Sequence, residues 1–480
     1  MILKELSKHS EKIAFISSAN DIIPYEAISE NISKFAKKKF NRGLVFCFCD
    51  NDPDFIIGYL SIIKNRMVAV MLNNQIPESM LERIEHSYKP NYYFISSSKF
   101  KELNLNNQDI CYVIGNYYLV ARGTTSLKIA DNIVQLLSTS GTTGTSKFVI
   151  QTADNINSNL ISIIFGLGLG SKDRSITTMP MNYTYGLSVM LSHLEVGGSI
   201  VLSNYNLTQR EFVTSLRDHK VTNFNGVPYH YEIIARFGDD FFADTSLEFI
   251  TQAGGKLGDS YTKKIFNMCQ KNYIKFYVMY GQTEATARIS ILDTSESSNK
   301  LKSVGKPILG GKIFIYDDFK KIKENALLEG EIVYEGKNVS PGYASNNLDL
   351  LVDKKSINRL FTGDVGYIDS EGFLYITGRK KRFAKILGLS INLDDLEEML
   401  KNLSYDAMCI SDDEKIYVAV NDLHNIEVVS SLLSKFLKLS SAKIQVFSFE
   451  EIPHTKSGKK DYQFFHQFLE NNGKVSNYEN

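Results

Sequence analysis

The sequence contains no tryptophan, only five cysteines in 480 residues, and no stretch approaching the roughly 18 uninterrupted apolar residues of a membrane-spanning helix. Cys47, Cys49, Cys111, Cys269 and Cys409 have neither metal-ligand spacing nor the pattern of a disulfide framework, so reduced thiols are expected. Cys47 and Cys49 sit in LVFCFCD, which reads as a buried strand. Neither sign of charge is in excess: Lys+Arg and Asp+Glu number 54 each, so no global field gathers nucleic acid or an anionic membrane. Any anion must be caught by a local site. The start, MILKELSKHSEK, mixes charges and lacks the apolar core of a signal peptide, which implies a cytoplasmic chain. Internal repeats and low-complexity tracts are absent too. The missing tryptophan, alongside abundant Ile, Lys and Asn, reads as a codon bias toward A and T and carries no mechanism.

What is present is an ordinary globular composition, 43% apolar and 22% charged, in a chain longer than one core usually supports. From residue 44, LVFCFC, DFIIGYLSIIKN, MVAVML, PESMLERIEHSY and YYFIS alternate as β-α-β-α-β, the rhythm of a parallel sheet covered by helices. After a polar stretch near 101–130 the rhythm resumes with VQLLSTS, a helix from about Asn155, SITTMP, SIVLS, VTNFNGV, LEFITQAGG and KFYVMYG. Ligands of open α/β sheets collect beyond the carboxyl ends of strands, so STSGTTG, QAGGK and YGQTE are expected to share one cleft. Beyond residue 300 short strands and Gly-rich turns predict a β-rich subdomain over about 300–376. The last hundred or so residues read as a small α+β unit. The fold class is therefore α/β, with a large N-terminal domain over 1–378 and a mobile C-terminal α+β domain over 379–480, parted at the charged segment GRKKR.

The sharpest chemical signal is STSGTTGTSKFV, residues 138–149. Small hydroxyl residues and glycines let backbone N–H groups approach phosphate oxygens, and Lys147 adds a movable cation. Gly141 and Gly144 are only three apart, which departs from a Walker A loop and disfavours a P-loop NTPase. Taken alone, such a loop is as often an ordinary turn.

The ordered series of segments resembles the adenylate-forming superfamily of acyl-CoA synthetases, peptide-synthetase adenylation domains and luciferases. The resemblance runs from about residue 10 to 465 and rests on STSGTTGTSK, QAGGK at 252–256, YGQTE at 280–284, FTGD at 361–364, GRKKRFAKILG at 378–388 and PHTKSGKKD at 453–461. It implies a soluble enzyme that activates a carboxylic acid with ATP and Mg²⁺ as an acyl-adenylate, then passes the acyl group to the pantetheine thiol of CoA or of a phosphopantetheinylated carrier protein. It places Thr139, Ser140, Gly141, Thr142, Thr143, Gly144 and Lys147 on the phosphates. Gly254, Gly255, Lys256, Tyr280, Gly281 and Gln282 fall around the adenine, with Tyr280 offering its aromatic face. Thr283 is implied to donate to the α-phosphate, Glu284 to hold Mg²⁺ through a hard oxygen, and Asp364 and Arg379 to bind the ribose. A capping glutamate, a core tyrosine and a bland Asp364–Arg379 ion pair are the plain alternatives.

Lys459 resembles the lysine inserted during adenylation, where extra negative charge on the α-phosphoryl group calls for a bridging cation. Lys456 and Lys460 are lesser candidates. The resemblance further implies a hinge at Lys381 and a thiol path beside Gly388. Four positions depart from the common pattern: Ser146 for Pro, Phe148 for Gly, Lys381 for Asp and Ser390 for Arg. The first two bear on loop stiffness, the last two on the second half-reaction.

MPMNYTYGLS, residues 179–188, resembles the start of the acyl pocket. It offers Asn182, Tyr183 and Tyr185 where amino-acid-activating members place an Asp, so a non-amino acid is favoured, gated by Tyr183 with Asn225, Gly226 and Val227 nearby. Packing of these tyrosines at the sheet edge is the alternative. About 20 residues follow Asp461, so the acceptor thiol is expected on a separate molecule. Two other readings stand beside the leading one. The first is an amino-acid or hydroxy-acid ligase loading a stand-alone carrier protein. The second is a degenerate nucleotide-binding subunit, disfavoured by the presence of Thr283, Glu284, Asp364 and Lys459.

Overall fold

The computed structural model describes residues 3, 6–123, 128–138, 147–316, 322–323, 328–353, 357–386, 389–412, 414–421, 426–437, 439–455 and 459–472. They cluster into two compact units, one of Met1–Ile313 with Tyr334–Leu360, the other of Phe314–Val333 with Phe361–Asn480. The β-rich stretch is thus divided between the two units.

The first unit holds two large sheets. An eight-stranded sheet has Val68–Asn73 and Leu44–Cys49 at its centre. Leu44–Cys49 runs parallel to Val68–Asn73 and Tyr92–Ser96, and Val68–Asn73 runs parallel to Ile133–Ser138. Every residue of Leu44–Cys49 is buried, as a run without polar alternation requires when helices cover both faces. The helix Pro53–Lys64 starts where the Asp52 side chain accepts from the N–H groups of Asp54 and Phe55, with Pro53 in its first turn. It packs so closely that a Cβ on Gly58 would lie 1.9 Å from the Phe94 ring.

The nine-stranded sheet runs, in spatial order, Lys306–Pro307, Ser290–Asp293, Lys275–Tyr280, Phe249–Gln252, Asn223–Gly226, Arg174–Ile176, Ser199–Val201, Ile13–Ile16 and Ile22–Pro24. Its six strands from Lys275–Tyr280 to Ile13–Ile16 are mutually parallel. The resumed rhythm therefore splits. Ile133–Ser138 completes the first sheet, whereas the later strands build the second.

Four strands and a helix have weaker sequence signals. The polar stretch after residue 101 contains the antiparallel pair Ile110–Ile114 and Tyr117–Ala121, turning at Gly115 with φ 50°. The strands Ile13–Ile16 and Ile22–Pro24 precede the helix Tyr25–Ala36, and a helix over Tyr462–Asn471 follows the lysine-rich loop.

In the second unit, Arg359–Ile368 pairs antiparallel with Leu374–Arg379 in a five-stranded sheet. Ala407–Ser411, Ile416–Val420 and Ile444–Ser448 form a three-stranded sheet, in keeping with the α+β reading of the last hundred residues. The helices Leu393–Asn402 and Ile426–Leu437 pack on it, burying Leu396, Leu400, Val429 and Leu433. Among the described residues no helix is long and apolar enough to cross a membrane.

Candidate active site

Phe249–Gln252 and Lys275–Tyr280 are parallel neighbours, with Phe249 opposite Lys275 and Gln252 opposite Val278, so QAGGK and YGQTE leave the sheet side by side. Gln252 Nε2 donates to the Gly255 carbonyl at 2.8 Å, closing a tight turn. Gly254 has φ 89°, and a Cβ there would lie 2.6 Å from the Tyr183 hydroxyl oxygen. Glycine is required both for the backbone angle and for the approach of that tyrosine.

YGQTE continues into a turn folded back on itself. Ile289 N donates to the Tyr280 carbonyl at 2.8 Å. A Cβ on Gly281 would lie 1.8 Å from the Ala287 carbonyl oxygen, which only glycine allows. Thr286 and Ala287 have φ 54° and 114°, a conformation costing about 1–3 kcal/mol per residue unless its surroundings hold it. Asn338 supplies much of that hold: Nδ2 donates to the carbonyls of Ala285 (2.7 Å) and Arg288 (2.9 Å), while its own carbonyl accepts from Thr286 Oγ1 at 2.7 Å. Asn159 Nδ2 donates to the Arg288 carbonyl at 3.1 Å.

Thr283 is fixed from two directions. Its hydroxyl accepts from Thr184 Oγ1 at 3.0 Å, and its carbonyl accepts from Gln151 Nε2 at 3.2 Å. Gln151 lies in Phe148–Thr152, the strand leaving the hydroxyl-rich loop, and accepts in turn from Gln135 Nε2 at 2.7 Å. Gln135 Oε1 accepts from the buried Tyr59 hydroxyl, so a polar chain runs from the first sheet to Thr283. Glu284 Oε1 accepts from the Tyr343 hydroxyl at 2.7 Å. Burial, reinforced by Glu284, pushes the Tyr343 phenol up and keeps it a donor. Tyr280 is 8% exposed, and Gln282 Nε2 reaches its hydroxyl at 3.3 Å. Lys147 is exposed just ahead of Phe148, and Lys256 is exposed after the QAGG turn.

Beside this turn the helix Thr184–Val196 begins, with Tyr183 in front of it. The Tyr185 ring is held by its hydroxyl, 2.6 Å from Thr251 Oγ1, and stands 6.4 Å from the Tyr183 ring in an edge-on arrangement. Burial pushes both phenols up to about 12, with the positive charge of Arg288 opposing the rise. Arg288 lies over the Tyr185 ring, its guanidinium carbon 4.1 Å from the ring centroid, and is only 2% exposed. Its Nε contacts Met279 Sδ at 3.3 Å. A cation–π contact is worth about 2 kcal/mol when desolvated, less than the several kcal/mol of burying an ion.

The Asn225 amide is hydrogen-bonded within the sheet. Its Nδ2 donates to Ser175 Oγ (3.0 Å) and Asn223 Oδ1 (2.9 Å), and its Oδ1 accepts from Thr251 Oγ1 at 2.7 Å. The side chain is committed to the sheet, although an adjoining cavity lined by Met179, Met181, Gly186 and Val189 also touches Asn225. Gly226 admits the rings of Phe224 and Tyr231, which would lie 2.9 Å from an added Cβ.

In the second unit Asp364 and Arg379 are cross-strand partners, with Arg379 Nε 3.1 Å from Asp364 Oδ1. Gly363, at φ 72°, makes the turn, and Thr362 Oγ1 accepts from the Asp364 N–H at 3.1 Å. Asp364 is buried while Arg379 is exposed. Lys381 lies in the short turn Lys380–Arg382. Lys460 binds Glu397 Oε2 at 3.2 Å and Asp406 Oδ1 at 3.4 Å, whereas Lys459 takes part in a backbone loop with Thr455. Thr139, Ser140, Gly141, Thr142, Thr143, Gly144, Ser146, Gly388 and Lys456 lie outside the described residues.

The family model described as AMP-binding enzyme matches residues 4–344. The chain belongs to the AMP-binding enzyme family. Among curated members, a 2-succinylbenzoate–CoA ligase of Bacillus mycoides is 29% identical over 471 residues, covering 94% of this chain and 92% of its own. The ATP-bound structure of MatB from Rhodopseudomonas palustris superposes with TM-score 0.77 at 18% identity, over 98% of this chain and 99% of that one. O-succinylbenzoate coenzyme A synthetase from Bacillus subtilis, solved with ATP and magnesium ion, gives 0.73 at 21% identity over 95% and 97%. At these identities the superpositions show the AMP-binding α/β fold.

Reading the sequence of this AMP-binding enzyme by motif misses Gln151, Thr184, Asn338 and Arg288. The first three are buried or half-buried polar residues whose signal is spatial and absent from local spacing. Arg288 follows YGQTE closely, and an arginine beside an apolar strand was the one available cue.

Proposed function

We propose that this chain couples ATP cleavage to thioester formation, with the cleft edge formed by QAGGK, YGQTE and Tyr183 as its adenylation site. The chain is an AMP-forming acid–thiol ligase. A carboxylate oxygen attacks the α-phosphorus of ATP and pyrophosphate departs; a thiolate then attacks the acyl carbon and AMP departs. The single observation that carries this reading is the convergence of Gly254, Tyr183, Thr184 and Thr283 at the ends of adjacent parallel strands.

Thr283, with its carbonyl and hydroxyl both anchored, is the donor proposed for the α-phosphate. Tyr280 offers its ring to adenine, flanked by Gly254, Gly255, Lys256, Gly281 and Gln282. Glu284 presents one carboxylate with Oε1 occupied by Tyr343, a donor set that fits a hydrated Mg²⁺ held chiefly by phosphate. When bound there, Mg²⁺ would neutralise charge on the phosphates. Asp364 is proposed to take the ribose hydroxyls once Arg379 swings to share them, and Lys459 to bridge the attacking carboxylate and the α-phosphoryl group. Residues 379–480 are proposed to rotate about Lys381 between the half-reactions, with the thiol entering beside Gly388. The loop 139–147 is proposed to hold the phosphates.

The acid proposed is a small non-amino carboxylic acid gated by Tyr183, with 2-succinylbenzoate the first candidate because curated relatives carry that name. The acceptor proposed is CoA rather than a carrier protein, on the same ground, and the setting proposed is cytoplasmic. The test is an acid panel with ATP and Mg²⁺, reading pyrophosphate and AMP release and trapping acyl-adenylate with hydroxylamine. A hydroxamate from a cognate acid, and a thioester on CoA, are expected. ATP binding without release of pyrophosphate with any acid would overturn the ligase reading, and thioester only on a carrier protein would overturn CoA.

A further inference from the structure

Arg288 is among the largest fully buried side chains of the molecule, 2% exposed. A guanidinium stays charged in a protein interior and has five N–H donors to satisfy. Here Nε meets the weak acceptor Met279 Sδ, the plane lies on Tyr185, and neither terminal nitrogen donates a hydrogen bond to a described residue. Among the described residues no aspartate or glutamate acts on it; the titratable neighbours are Tyr185 and Tyr183. Both phenols remain protonated at neutral pH, so neither supplies a negative charge.

The arginine is held there deliberately by its backbone. Its carbonyl accepts from Asn338 and Asn159, and the Gly281 contact brings the Ala287–Arg288 backbone against the start of the turn. It therefore leaves the same turn that carries Thr283 and Glu284, and reaches the ring of Tyr185, two residues after the proposed gate Tyr183. A buried cation to which no described residue brings an anion, stacked on Tyr185 beside the proposed acyl gate, is a receptor for an anion brought by the substrate.

Resting on the ligase reading above, we infer that the acid substrate carries a second anionic carboxyl group, and that Arg288 binds it while the first carboxyl is activated beside Thr283. Arg288 is then a specificity-determining residue. The same charge repels the ammonium of an amino acid, which agrees with the absence of an Asp from MPMNYTYGLS. A planar fork suits a carboxylate, which it holds through two parallel N–H donations.

The experiment is ATP–pyrophosphate exchange by the full chain with 2-succinylbenzoate, phthalate, succinate and glutarate. Each is compared with the monomethyl ester that blocks one carboxyl, and with benzoate and butyrate. At least one diacid is expected to drive exchange with kcat/KM about 100-fold or more above its ester, because the ester leaves the buried charge unpaired. Arg288→Met is expected to lose that preference: the diacid falls on the order of 100-fold while the ester is unchanged or improved. Arg288→Lys is expected to keep part of it. The ligand-free Arg288→Met chain is expected to melt no lower than wild type, which a merely structural arginine would not allow. If Arg288→Met does not fold, the wild-type diacid-to-ester ratio and Arg288→Lys decide. Equal exchange with diacids, esters and monoacids, or a diacid preference that survives Arg288→Met, overturns the inference alone. Bound ATP with no exchange and no hydroxamate from any acid overturns the ligase reading and this inference together.

Discussion

Two arginines in this molecule stack on a tyrosine in nearly the same way, and the rest of their surroundings could hardly differ more. Arg382 lies 4.3 Å from the centroid of Tyr462, and Arg288 lies 4.1 Å from that of Tyr185. Arg382 binds Asp394 Oδ1 at 2.9 Å and Glu397 Oε1 at 2.5 Å, and donates to the Cys409 carbonyl. Burial lowers its basicity, but Glu397, Tyr462 and Asp394 more than reverse that, and its pKa rises. Burial also lowers that of Arg288, where only the tyrosines oppose it, and its pKa falls. A buried cation with its carboxylates built in is a fastener; one without them is a binding group awaiting its counterion. Lys460 is a fastener of the same kind, bound to Glu397 and Asp406.

The largest effect that could break this contrast is at the fastener. Arg382→Met is expected to cost about 3–5 kcal/mol, because Glu397 keeps its burial and loses a partner, read by chemical denaturation of the whole chain. An unchanged midpoint would mean the network around Glu397 holds nothing together. Next, Lys459→Ala is expected to slow adenylate formation on the order of 10²–10³-fold while sparing thioester formation from supplied acyl-adenylate. Lys460→Ala should instead lower the melting temperature. Equal damage to both half-reactions by Lys459→Ala would argue against a lysine that acts in only one of them. At the other arginine, Arg288→Met is expected to leave ligand-free stability unchanged or raise it by up to about 4 kcal/mol, and a clear loss would make Arg288 a second fastener. Smallest is Thr184→Val, which removes the donor to Thr283. About 0.5–1.5 kcal/mol of transition-state stabilisation, up to roughly tenfold in adenylation rate, should disappear with the melting temperature held. An unaltered rate would detach the pocket helix from the α-phosphate.

The parts legible in sequence are those where local pattern and structure share a cause. Leu44–Cys49 is apolar throughout because it is covered on both faces, and QAGGK and YGQTE sit together because their strands are sequential, parallel and adjacent. What escaped depends on pairings distant in the chain. Ile13–Ile16 joins the second sheet through Ser199–Val201, about half the first unit further along the chain, and no local period encodes that. Tyr117–Ala121 reads as part of a polar stretch because its partner strand Ile110–Ile114 alternates burial at a sheet edge. The partners of the Asn225 amide, Ser175, Asn223 and Thr251, are likewise a neighbourhood that only folding reveals. Arg288 is the sharpest example: nothing in ATAR announces that its guanidinium will be buried without a carboxylate.

The most direct measurement is a crystal structure of the full chain with a dicarboxylic acid that it activates and a non-hydrolysable ATP analogue. The account predicts one carboxyl beside Thr283 and the α-phosphate, and the other with both oxygens about 2.7–3.0 Å from the terminal nitrogens of Arg288. A nucleotide bound away from YGQTE, or a second carboxyl pointing into solvent with Arg288 still facing no anion, would contradict it.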